Sequence, residues 1–403
     1  MRILIHGLNY APEPTGIGKF TGEMAEWLAG RGHRVQVVTT PPYYPDWRIG
    51  AGYSSWCWRH EIIAGVAIYR CPLYVPAKPR GLTRLFHLLS FAASSLPVAI
   101  ARALILRPDV VIAVAPALVS VPGSWIAARL AGARPFLHIQ DFEIDAAFAL
   151  GIVSGGPMRR LALALESFLL RRFDSVSSIT PAMVARLADK GVAPDRRFLF
   201  SNWVDTAAIH PAPSALRAKL NLPADAIVAL YSGNMGEKQG VETLTDVARA
   251  LASTRVHLLL AGAGAAAARL GAATAGMAQV HWLPIQPVER LNDLLNAADI
   301  HLLPQRADAA DLVMPSKLAF MLASGKPVVA GAVKNTALAH AIDGCGIAVA
   351  PGDAAAMAAA IGELAKDEQQ RKRLGDQART RAVAEWDREA ILAAYEKVLL
   401  AAV

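Results

Sequence analysis

Short apolar segments alternate with helical patterns along both halves of this 403-residue chain, and no other feature limits its possible folds so strongly. In the first half these segments occupy residues 3–6, 35–39, 66–70, 110–114, 136–139 and 175–178. In the second half they occupy residues 227–232, 257–261, 280–284, 300–304, 327–330 and 346–350. Alternating strands and helices predict parallel, doubly wound sheets. Two such sets predict an α/β protein with two Rossmann-like domains.

A stretch rich in chain-breaking residues, 202–213, lies between the two sets and is predicted to be a linker. We therefore place a first domain at 1–205 and a second domain at 214–384. Hydrophobic residues make up 54% of the chain and charged residues 18%, so both domains can bury a sizeable core. The three cysteines are scattered, which favours a reducing compartment and argues against structural zinc.

A Pro-Ser-Lys-Leu sequence that begins at Pro315 is predicted to start a ten-residue helix ending before Gly325. Pro315 suits the first helical position because it has no N–H to leave unpaired. The free backbone N–H groups of Ser316, Lys317 and Leu318 would form an anion site at the positive end of the helix dipole. The Lys317 ammonium, which we expect to be exposed, adds a full charge. The alternative is an ordinary helix start.

A second candidate phosphate site follows the apolar segment 227–231. There a glycine-rich turn with a lysine leads into a helical pattern, an arrangement that α/β proteins use to hold phosphates. The predicted contacts are Gly233, Asn234, Lys238 and Gln239. The turn alone leaves open whether Lys238 or Gln239 meets the phosphate. Two such turns in one half of the chain predict a diphosphate held between them.

The first half has its own glycine-rich loop, at residues 12–20. A dinucleotide-binding fingerprint would need a third glycine where Thr21 stands, and a Walker A loop would need glycine in place of Glu13. Both interpretations therefore fail. What remains is a loop whose small residues, Gly16 and Gly18, let the backbone approach a ligand, or else a tight turn before a helix.

Acidic residues follow the apolar segment 136–139, at the carboxyl end of a predicted strand, where open α/β sheets bind ligands. Asp141 is the candidate for contact with an acceptor hydroxyl, whereas Glu143 and Asp145 are equally consistent with a solvated loop. No Asp-x-Asp metal clamp occurs in the chain. We therefore predict that no metal is bound and that positive side chains stabilise the leaving group.

In these segments the chain resembles the bacterial sugar transferases of the GT-B type. It is most similar to the WcaI-like colanic-acid branch of the large retaining family that includes sucrose synthase-like enzymes. The resemblance extends from residues 3–7 to the terminal helix near Trp386. It implies transfer from a UDP- or GDP-linked sugar to a lipid-linked acceptor in exopolysaccharide or cell-surface glycan synthesis, with retention of configuration. It also implies that a final helix, 385–403, completes the first domain.

The resemblance assigns roles to residues at matching positions. The catalytic candidates are Asp141, Lys238 and Lys317, of which the two lysines stabilise the departing diphosphate. Acceptor contacts are implied for Glu13 and Asp141. Donor contacts are implied for Gly16, Gly18, Gly233, Asn234, Gln239, Leu283 (near the base), Asp311 (at the sugar), Pro315, Ser316 and Leu318. No cofactor is implied beyond the nucleotide sugar itself.

One departure from the family pattern concerns the donor sugar. Most members carry two glutamates separated by seven residues, and here Leu312 and Phe320 stand at those positions. Asp311 is the nearby acid that could contact a sugar hydroxyl. Two alternatives stay open: a GT-B-like epimerase acting on a nucleotide sugar, for which Asp311 and His281 are the weak candidate residues, and a non-catalytic scaffold that binds one, which only the missing glutamates support.

Much of the net charge of +8 lies near an apolar stretch at 86–106. This stretch is about as long as a membrane span, but it contains His87, Pro97 and Arg102, so we expect a buried helix pair in preference to a span. A basic, apolar surface suits an anionic bilayer, and no nucleic-acid motif is present. We predict a cytoplasmic protein that attaches peripherally to the inner membrane and binds no nucleic acid.

Overall fold

The computed structural model of the protein describes residues 1–77, 81–116, 118–142, 156–236, 239–306 and 316–403. These residues form two compact units. One comprises Met1–Asn202 together with Ala390–Val403, and the other comprises Trp203–Glu389. Each unit has one central sheet with helices packed beside it.

The sheet of the first unit has eight strands in the order β3-β4-β2-β1-β5-β6-β7-β8. All its strand pairs are parallel except the edge pair of β3 and β4, which is antiparallel. The central strand β5 is buried along its whole length, as is usual for parallel strands covered on both faces. The strands are β1 Arg2–Gly7, β2 Arg34–Thr39, β3 Arg59–Ile63, β4 Val66–Arg70, β5 Val110–Ala115, β6 Arg134–Ile139, β7 Ser175–Ser178 and β8 Arg197–Leu199.

The sheet of the second unit has six parallel strands in the order β11-β10-β9-β12-β13-β14. Alternate residues of β9 belong to two different core clusters, Val228 and Leu230 to one, Ala229 and Tyr231 to the other. The strand therefore buries both of its faces. The strands are β9 Ile227–Asn234, β10 Val256–Ala263, β11 Val280–Leu283, β12 Ile300–Leu303, β13 Val328–Gly331 and β14 Gly346–Val349.

The helices of the described residues alternate with these strands. They are α1 Gly16–Gly30, α2 Gly81–Leu106, α3 Val121–Ala131, α4 Gly156–Leu170, α5 Pro181–Asp189, α6 Leu216–Lys219, α7 Thr243–Ala250, α8 Ala267–Ala273, α9 Leu291–Asn296, α10 Lys317–Ala323, α11 Ala337–Ile342, α12 Ala354–Lys366, α13 Glu368–Trp386 and α14 Arg388–Ala401. The predicted α/β class with parallel, doubly wound sheets is confirmed.

Every strand predicted from an apolar segment is present, whereas β3 and β8 were not predicted. Strand β3 has the sequence Arg-His-Glu-Ile-Ile and is largely exposed, so it lacks the apolar run of a buried parallel strand. Strand β8 has only three residues, which is too short for a pattern to be recognised.

Helix α10 is shorter than predicted. It begins at Lys317, after Ser316, and has seven residues, so the placement of the first helical residue at Pro315 is wrong. A shift of two residues is common at helix starts, where the first turn lacks the full hydrogen-bond ladder. The end agrees with the prediction, because Gly325 has a φ of +70°, the left-handed conformation that stops helices. Pro315 itself lies outside the described residues.

The chain ends in two helices where the sequence predicts one. Helix α13 stops at Trp386 and α14 starts at Arg388, because the backbone of Asp387 is extended. The N–H of Val204 donates to the carbonyl of Trp386 (2.8 Å), and the N–H of Arg388 donates to the carbonyl of Val204 (3.0 Å). This strand-like pairing satisfies backbone groups that a continuous helix would have used.

From Ala390 onward, helix α14 belongs to the first unit. The ring of Tyr395 stacks on Phe200 with 3.9 Å between ring centres. The carboxylate of Glu396 accepts hydrogen bonds from the side chains of His33 (2.8 Å) and Arg31 (3.3 Å). The last helix thus joins residues near the start of the chain to the end of the first unit's sheet.

The apolar stretch at 86–106 belongs to one long helix, α2, so the expected buried helix pair is wrong. Pro97 lies inside the helix and removes one hydrogen bond to the carbonyl of Ala93. Both residues are exposed, so water can reach the freed carbonyl. Among the described residues, Gly81–Leu106 is long and apolar enough to cross a membrane by length and composition, and 22% of its most apolar window is buried.

Candidate active site

The carboxyl ends of strands in the second sheet bring glycine backbones close together. Gly233, near the end of β9, has a φ of +118°. A Cβ on Gly262 of β10 would lie 2.0 Å from the carbonyl oxygen of Gly233, and one on Gly264 would lie 2.6 Å from the backbone of Met235. Only glycine fits these positions. They form the edge at which open α/β sheets bind ligands.

The side chain of Lys317 lies at this edge. Its Nζ is 4.0 Å from the centre of the Tyr231 ring, and its Cδ is 3.7 Å from where a Cβ on Gly233 would lie. The Nζ is buried and has no hydrogen-bond partner within the part of the chain that the structure describes. Burial lowers the pKa of Lys317 to about 7. The expectation that this ammonium is exposed is therefore wrong, because the side chain folds over Tyr231.

A buried ammonium without a counter-charge is costly in free energy. The face of the Tyr231 ring offsets part of this cost through a cation–π contact. Buried polar groups without partners are rare, and perturbed ionisable groups in clefts are typical of functional sites. An anion beside Nζ would supply the missing hydrogen bonds and charge. The arrangement therefore favours anion binding at the carboxyl edge of the second sheet.

The burial of Lys317 predicts a rise in the free energy of unfolding between about pH 7 and pH 9. Folding lowers the pKa of this side chain from 10.5 to about 7. The unfolded chain therefore binds more protons in this range, and stability increases with pH. Lys317→Met should remove the increment. Urea unfolding of both proteins across the range measures it as a difference, and an identical pH dependence would contradict the burial of the ammonium.

Gln305 was not predicted as a site residue, although the structure places it at the same edge, directly after β12. Its Oε1 is buried without a hydrogen-bond partner among the residues described. A Cβ on Gly240 would lie 3.0 Å from its carbonyl carbon, and one on Gly331 would lie 3.2 Å from its backbone nitrogen. The signal that could have identified Gln305 is a polar residue immediately after a fully buried strand.

For three other predicted donor residues, the structure shows a position at or near this edge. Asn234 is exposed at the end of β9, and its carbonyl accepts a hydrogen bond from the Tyr231 hydroxyl (2.6 Å). Leu283 ends β11 and packs, half-buried, against the core. The side chain of Leu318 is buried in that core, so only its backbone N–H can face a ligand. These positions agree with the predicted edge, and their donor contacts stay predictions.

Two further predicted positions have polar side chains near the glycine-rich turn and the α10 start. Gln239 is half-buried. Ser316 is exposed, and its hydroxyl does not cap helix α10, because it accepts no hydrogen bond from the backbone of the first turn. Lys238, Asp311 and Pro315 lie outside the described residues, so their roles also stay predictions. The structure therefore brings Gly233 and Lys317 into direct proximity and leaves the remaining contacts to be tested.

In the first unit, the carboxylate of Glu13 makes its hydrogen bonds within the protein. This carboxylate is buried and accepts hydrogen bonds from the side chain of Asn9 (2.9 Å) and from the N–H groups of Tyr43 (3.2 Å) and Tyr44 (3.1 Å). Burial raises the pKa of Glu13, and these hydrogen bonds oppose that rise. The carboxylate therefore joins two loops at the carboxyl edge of the first sheet. Its predicted contact with an acceptor stays a prediction.

Gly16 and Gly18 begin helix α1. Gly16 has a φ of +65°, which favours glycine. Gly18 is required for another reason, because a Cβ there would lie 2.4 Å from Oε2 and 2.7 Å from Cβ of Glu13. The space beside Gly18 is thus filled by a side chain of this protein. The predicted donor contact of these glycines would have to be made by their backbone.

Gly18→Ala is expected to destabilise the protein by about 1–3 kcal/mol, because Glu13 must move and stretch its hydrogen bonds. Gly30→Ala in the same helix is the matched control, since a Cβ there would meet nothing within 4 Å. Urea unfolding compares the two midpoints. We expect a lower midpoint for Gly18→Ala alone, and equal midpoints would contradict the close packing of Gly18 on Glu13.

Asp141 follows β6 at the carboxyl edge of the first sheet and is half-buried. Its neighbour Gln140 is buried, and the Gln140 amide donates to the side chain of Asn202 (3.0 Å) and contacts Nε2 of His138 (3.0 Å). Gln140 is thus held in place by the protein, whereas Asp141 lies nearer to solvent. Glu143 and Asp145, from the same predicted acidic cluster, lie outside the described residues.

The described residues contain no group of three or more His, Cys, Asp or Glu side chains that could hold a metal ion. The positive group that contacts place at the edge of the second sheet is Lys317.

Comparison with solved structures identifies the fold. The whole chain aligns with the whole of sucrose-phosphate synthase from Thermosynechococcus elongatus, with a TM-score of 0.74 and 21% identity. It also aligns over the whole length of both chains with Anabaena HepE in complex with UDP and glucose, with a TM-score of 0.72 and 17% identity. Two parallel-sheet units of this kind define the GT-B fold of glycosyltransferases, as the sequence predicts.

Comparison with known sequences identifies the family. Residues 15–203 match the family described as glycosyl transferase 4-like domain, and residues 226–367 match glycosyl transferases group 1. The chain is 42% identical to WcaI of Escherichia coli strain K12, named as a colanic acid biosynthesis glycosyl transferase, over 90% of this chain and 91% of that protein. The chain belongs to this WcaI-like family of glycosyltransferases.

Proposed function

We propose that this glycosyltransferase moves a sugar from a UDP- or GDP-linked donor to a lipid-linked acceptor in exopolysaccharide or cell-surface glycan synthesis. The observation that carries the proposal is the buried ammonium of Lys317, which has no hydrogen-bond partner among the described residues. A diphosphate is the anion best suited to it, because the glycine-rich turn at Gly233 approaches the same side chain. HepE, which has been solved with UDP-glucose, and the colanic-acid role in the name of WcaI support this choice.

In the proposed reaction, the bond between the anomeric carbon of the sugar and the leaving phosphate oxygen breaks. The oxygen of the acceptor hydroxyl forms the new bond to that carbon, and its proton passes to the leaving phosphate. The departing diphosphate gains negative charge, which Lys317 and Lys238 stabilise. No protein nucleophile and no metal ion are required, and the configuration at the anomeric carbon is retained.

Asp141→Asn is expected to abolish transfer while leaving nucleotide-sugar binding nearly intact, because Asp141 is proposed to orient the acceptor hydroxyl. Asp311→Asn should instead weaken discrimination between donor sugars, since a site that loses a partner for a sugar hydroxyl discriminates less. Calorimetry of donor binding and assays of product formation separate the two effects. Transfer at the parent rate by Asp141→Asn would contradict the acceptor role.

Helix α2 supports peripheral attachment to a membrane, because it exposes large apolar side chains although part of its buried stripe is polar. Its buried stripe includes the polar residues His87 and Ser95, which bond to the side chains of Tyr43 (3.2 Å) and His6 (3.0 Å). Apart from Arg84, the exposed side chains of the helix are apolar, and these apolar residues are called here the α2 outer face. The residues of that face are Leu82, Leu85, Phe86, Leu89, Ala93, Pro97, Ala101, Leu104 and Ile105.

The charge around the α2 outer face fits an anionic bilayer. No Asp or Glu occurs between Glu61 and Asp109, whereas that interval contains, besides the buried Arg70, the basic residues Lys78, Arg80, Arg84, Arg102 and Arg107. Exposed apolar patches rimmed by polar groups mark sites of interaction, and basic residues beside an apolar helix face are attracted to anionic lipids. We therefore propose that the protein attaches through α2 to the cytoplasmic face of the inner membrane.

Assays of sugar release from UDP- and GDP-sugars, with and without membrane lipid and in the presence of EDTA, test the proposed function. Transfer to lipid in EDTA is the expected result. Interconversion of the nucleotide sugar without release would favour an epimerase, and binding without any turnover would favour a scaffold. Either result would contradict the proposal.

A further inference from the structure

An apolar groove of about 510 Å³ lies in the first unit, between helix α2 and the β3–β4 hairpin. On the helix side it is lined by Pro97, Val98 and Ala101, two of which belong to the α2 outer face. On the hairpin side it is lined by Trp58 and Tyr69. Its volume falls in the range of about 300–1,000 Å³ that is usual for small-molecule sites. The groove is therefore continuous with the surface proposed to meet the membrane.

Trp58 is held in an unusual position at this groove. Its side chain is 60% exposed, although its indole N–H donates to the backbone carbonyl of Ser94 in α2 (3.3 Å). The ring of Tyr69 is fixed between the ring of His60 (4.7 Å between ring centres) and the guanidinium of Arg102 (4.5 Å). Both aromatic side chains are thus held in place beside the helix: Tyr69 by its neighbours on either side, and Trp58 with most of its ring open to solvent.

A second cavity, of about 350 Å³, adjoins the groove and has a different character. It shares Trp58, Arg59 and Arg70 with the groove, and its other lining residues include Tyr53 and Ser54, which carry hydroxyl groups. Arg59 is paired with Arg70 across β3 and β4, at the end of β4. This is the carboxyl edge of the first sheet, where open α/β sheets bind ligands.

The two arginines shared by these cavities differ in what they can still bind. Arg70 is buried, and its guanidinium donates to Glu61, Thr40 and Ala11. Arg59 is about half exposed, with Nη1 donating to Gly52 (2.7 Å) and Nε facing Glu61 (3.3 Å). The Nη2 of Arg59 makes no hydrogen bond to the described residues. It remains available to an anionic group that lies between groove and cavity.

We propose that the groove and the adjoining cavity together hold the lipid-linked acceptor as a single-chain lipid phosphate. The apolar chain lies in the groove, the phosphate meets Arg59, and the sugar-bearing head passes through the adjoining cavity toward the carboxyl edge of the sheet that also carries Asp141. This inference rests on the proposed function, whose lipid-linked acceptor it locates. The change beside Arg59 from an apolar groove to a cavity that also has hydroxyl groups in its lining matches an amphipathic molecule whose phosphate separates a chain from a polar head.

Calorimetric titration of the full-length protein with farnesyl phosphate, without donor and without vesicles, tests the inference. Ala101→Trp fills the groove from an exposed position, and Ala93→Trp places the same side chain on the α2 outer face outside the groove. We expect Ala101→Trp to weaken binding by about tenfold or more and Ala93→Trp to leave it unchanged.

Arg59→Gln should weaken binding of farnesyl phosphate by about tenfold and leave binding of farnesol unchanged. Arg107→Gln is its control.

Parent-like binding of farnesyl phosphate by Ala101→Trp would overturn the inference, as would an equal loss in Ala93→Trp. Tighter binding of dihexanoyl phosphatidic acid than of farnesyl phosphate would assign the site to bilayer lipid and would also overturn it. Binding of UDP and GDP to the same variants is measured separately. If UDP and GDP bind normally but farnesyl phosphate does not bind, this inference is wrong and the proposed function is unaffected. If the parent protein binds neither UDP nor GDP, the proposed function itself is contradicted.

Discussion

Lys317→Met is expected to slow sugar transfer by about 100- to 1,000-fold, the effect of losing one preorganised electrostatic donor at a developing charge. The ammonium is already buried over Tyr231, and no described residue is its hydrogen-bond partner. The protein therefore does not have to desolvate it when the diphosphate arrives. Combining Lys317→Met with Lys238→Ala should lower the rate further, because Lys238 is proposed to stabilise the same leaving group.

The same substitution should stabilise the fold at neutral pH by about 1–3 kcal/mol, since it replaces an uncompensated buried charge with an apolar side chain of similar length. A gain in stability with a loss of activity is the expected signature of a functional residue that is strained in the free protein. Transfer assays and urea unfolding of the same preparation measure the two effects together.

Lys326→Met is the matched control. Lys326 is also half-buried, and burial lowers its pKa. However, it precedes β13, at the amino edge of the second sheet, so it lies away from Gly233 and Tyr231. Transfer should be unaffected by this substitution. Near-normal turnover by Lys317→Met, or an equal loss in both variants, would contradict the role of Lys317.

The double substitution Leu82→Ser/Phe86→Ser is expected to weaken binding to anionic vesicles by about 100-fold. Both side chains are more than half exposed on the α2 outer face, and an apolar side chain of this size contributes about 1.5–3 kcal/mol when it leaves water. Cosedimentation with vesicles measures the change. High salt should release part of the parent protein, because screening weakens the attraction of the basic residues.

Ile285→Ser/Val288→Ser provides the control for this prediction. Those side chains are equally exposed, at 64% and 68%, but they lie in the second unit. Binding to vesicles should be retained. If the parent protein does not bind anionic vesicles, peripheral attachment is wrong, and if it resists both salt and alkali, α2 crosses the bilayer.

The sequence predicts the strands and the edge of the second sheet well, because both depend on local pattern and on parallel topology. Apolar runs mark buried strands, and in a parallel sheet the segments after neighbouring strands meet at one edge. Strands β9 and β12 are such neighbours. The proximity of Gly233 and Lys317 therefore follows from the sheet order, in which β9 and β12 lie side by side although they are not consecutive in the chain.

Features that depend on tertiary packing were not predictable in this way. Tyr231 is indistinguishable in the sequence from any core residue of β9, so nothing local indicates that its ring covers a lysine. The hydrogen bonds that Glu13 accepts come from Tyr43 and Tyr44, about thirty residues away. Helix α2 is apolar around most of its circumference, so its pattern does not reveal which face is buried.

The central claim, that the buried ammonium of Lys317 binds the donor diphosphate, is tested most directly by titrating UDP and GDP into the protein at pH 8 in two buffers of different ionisation enthalpy. With its pKa at about 7, Lys317 is largely neutral at this pH, so a bound diphosphate should draw in about one proton. Lys317→Met should take up none and bind about 100-fold more weakly. Equal proton uptake and equal affinity in the two proteins would contradict the claim.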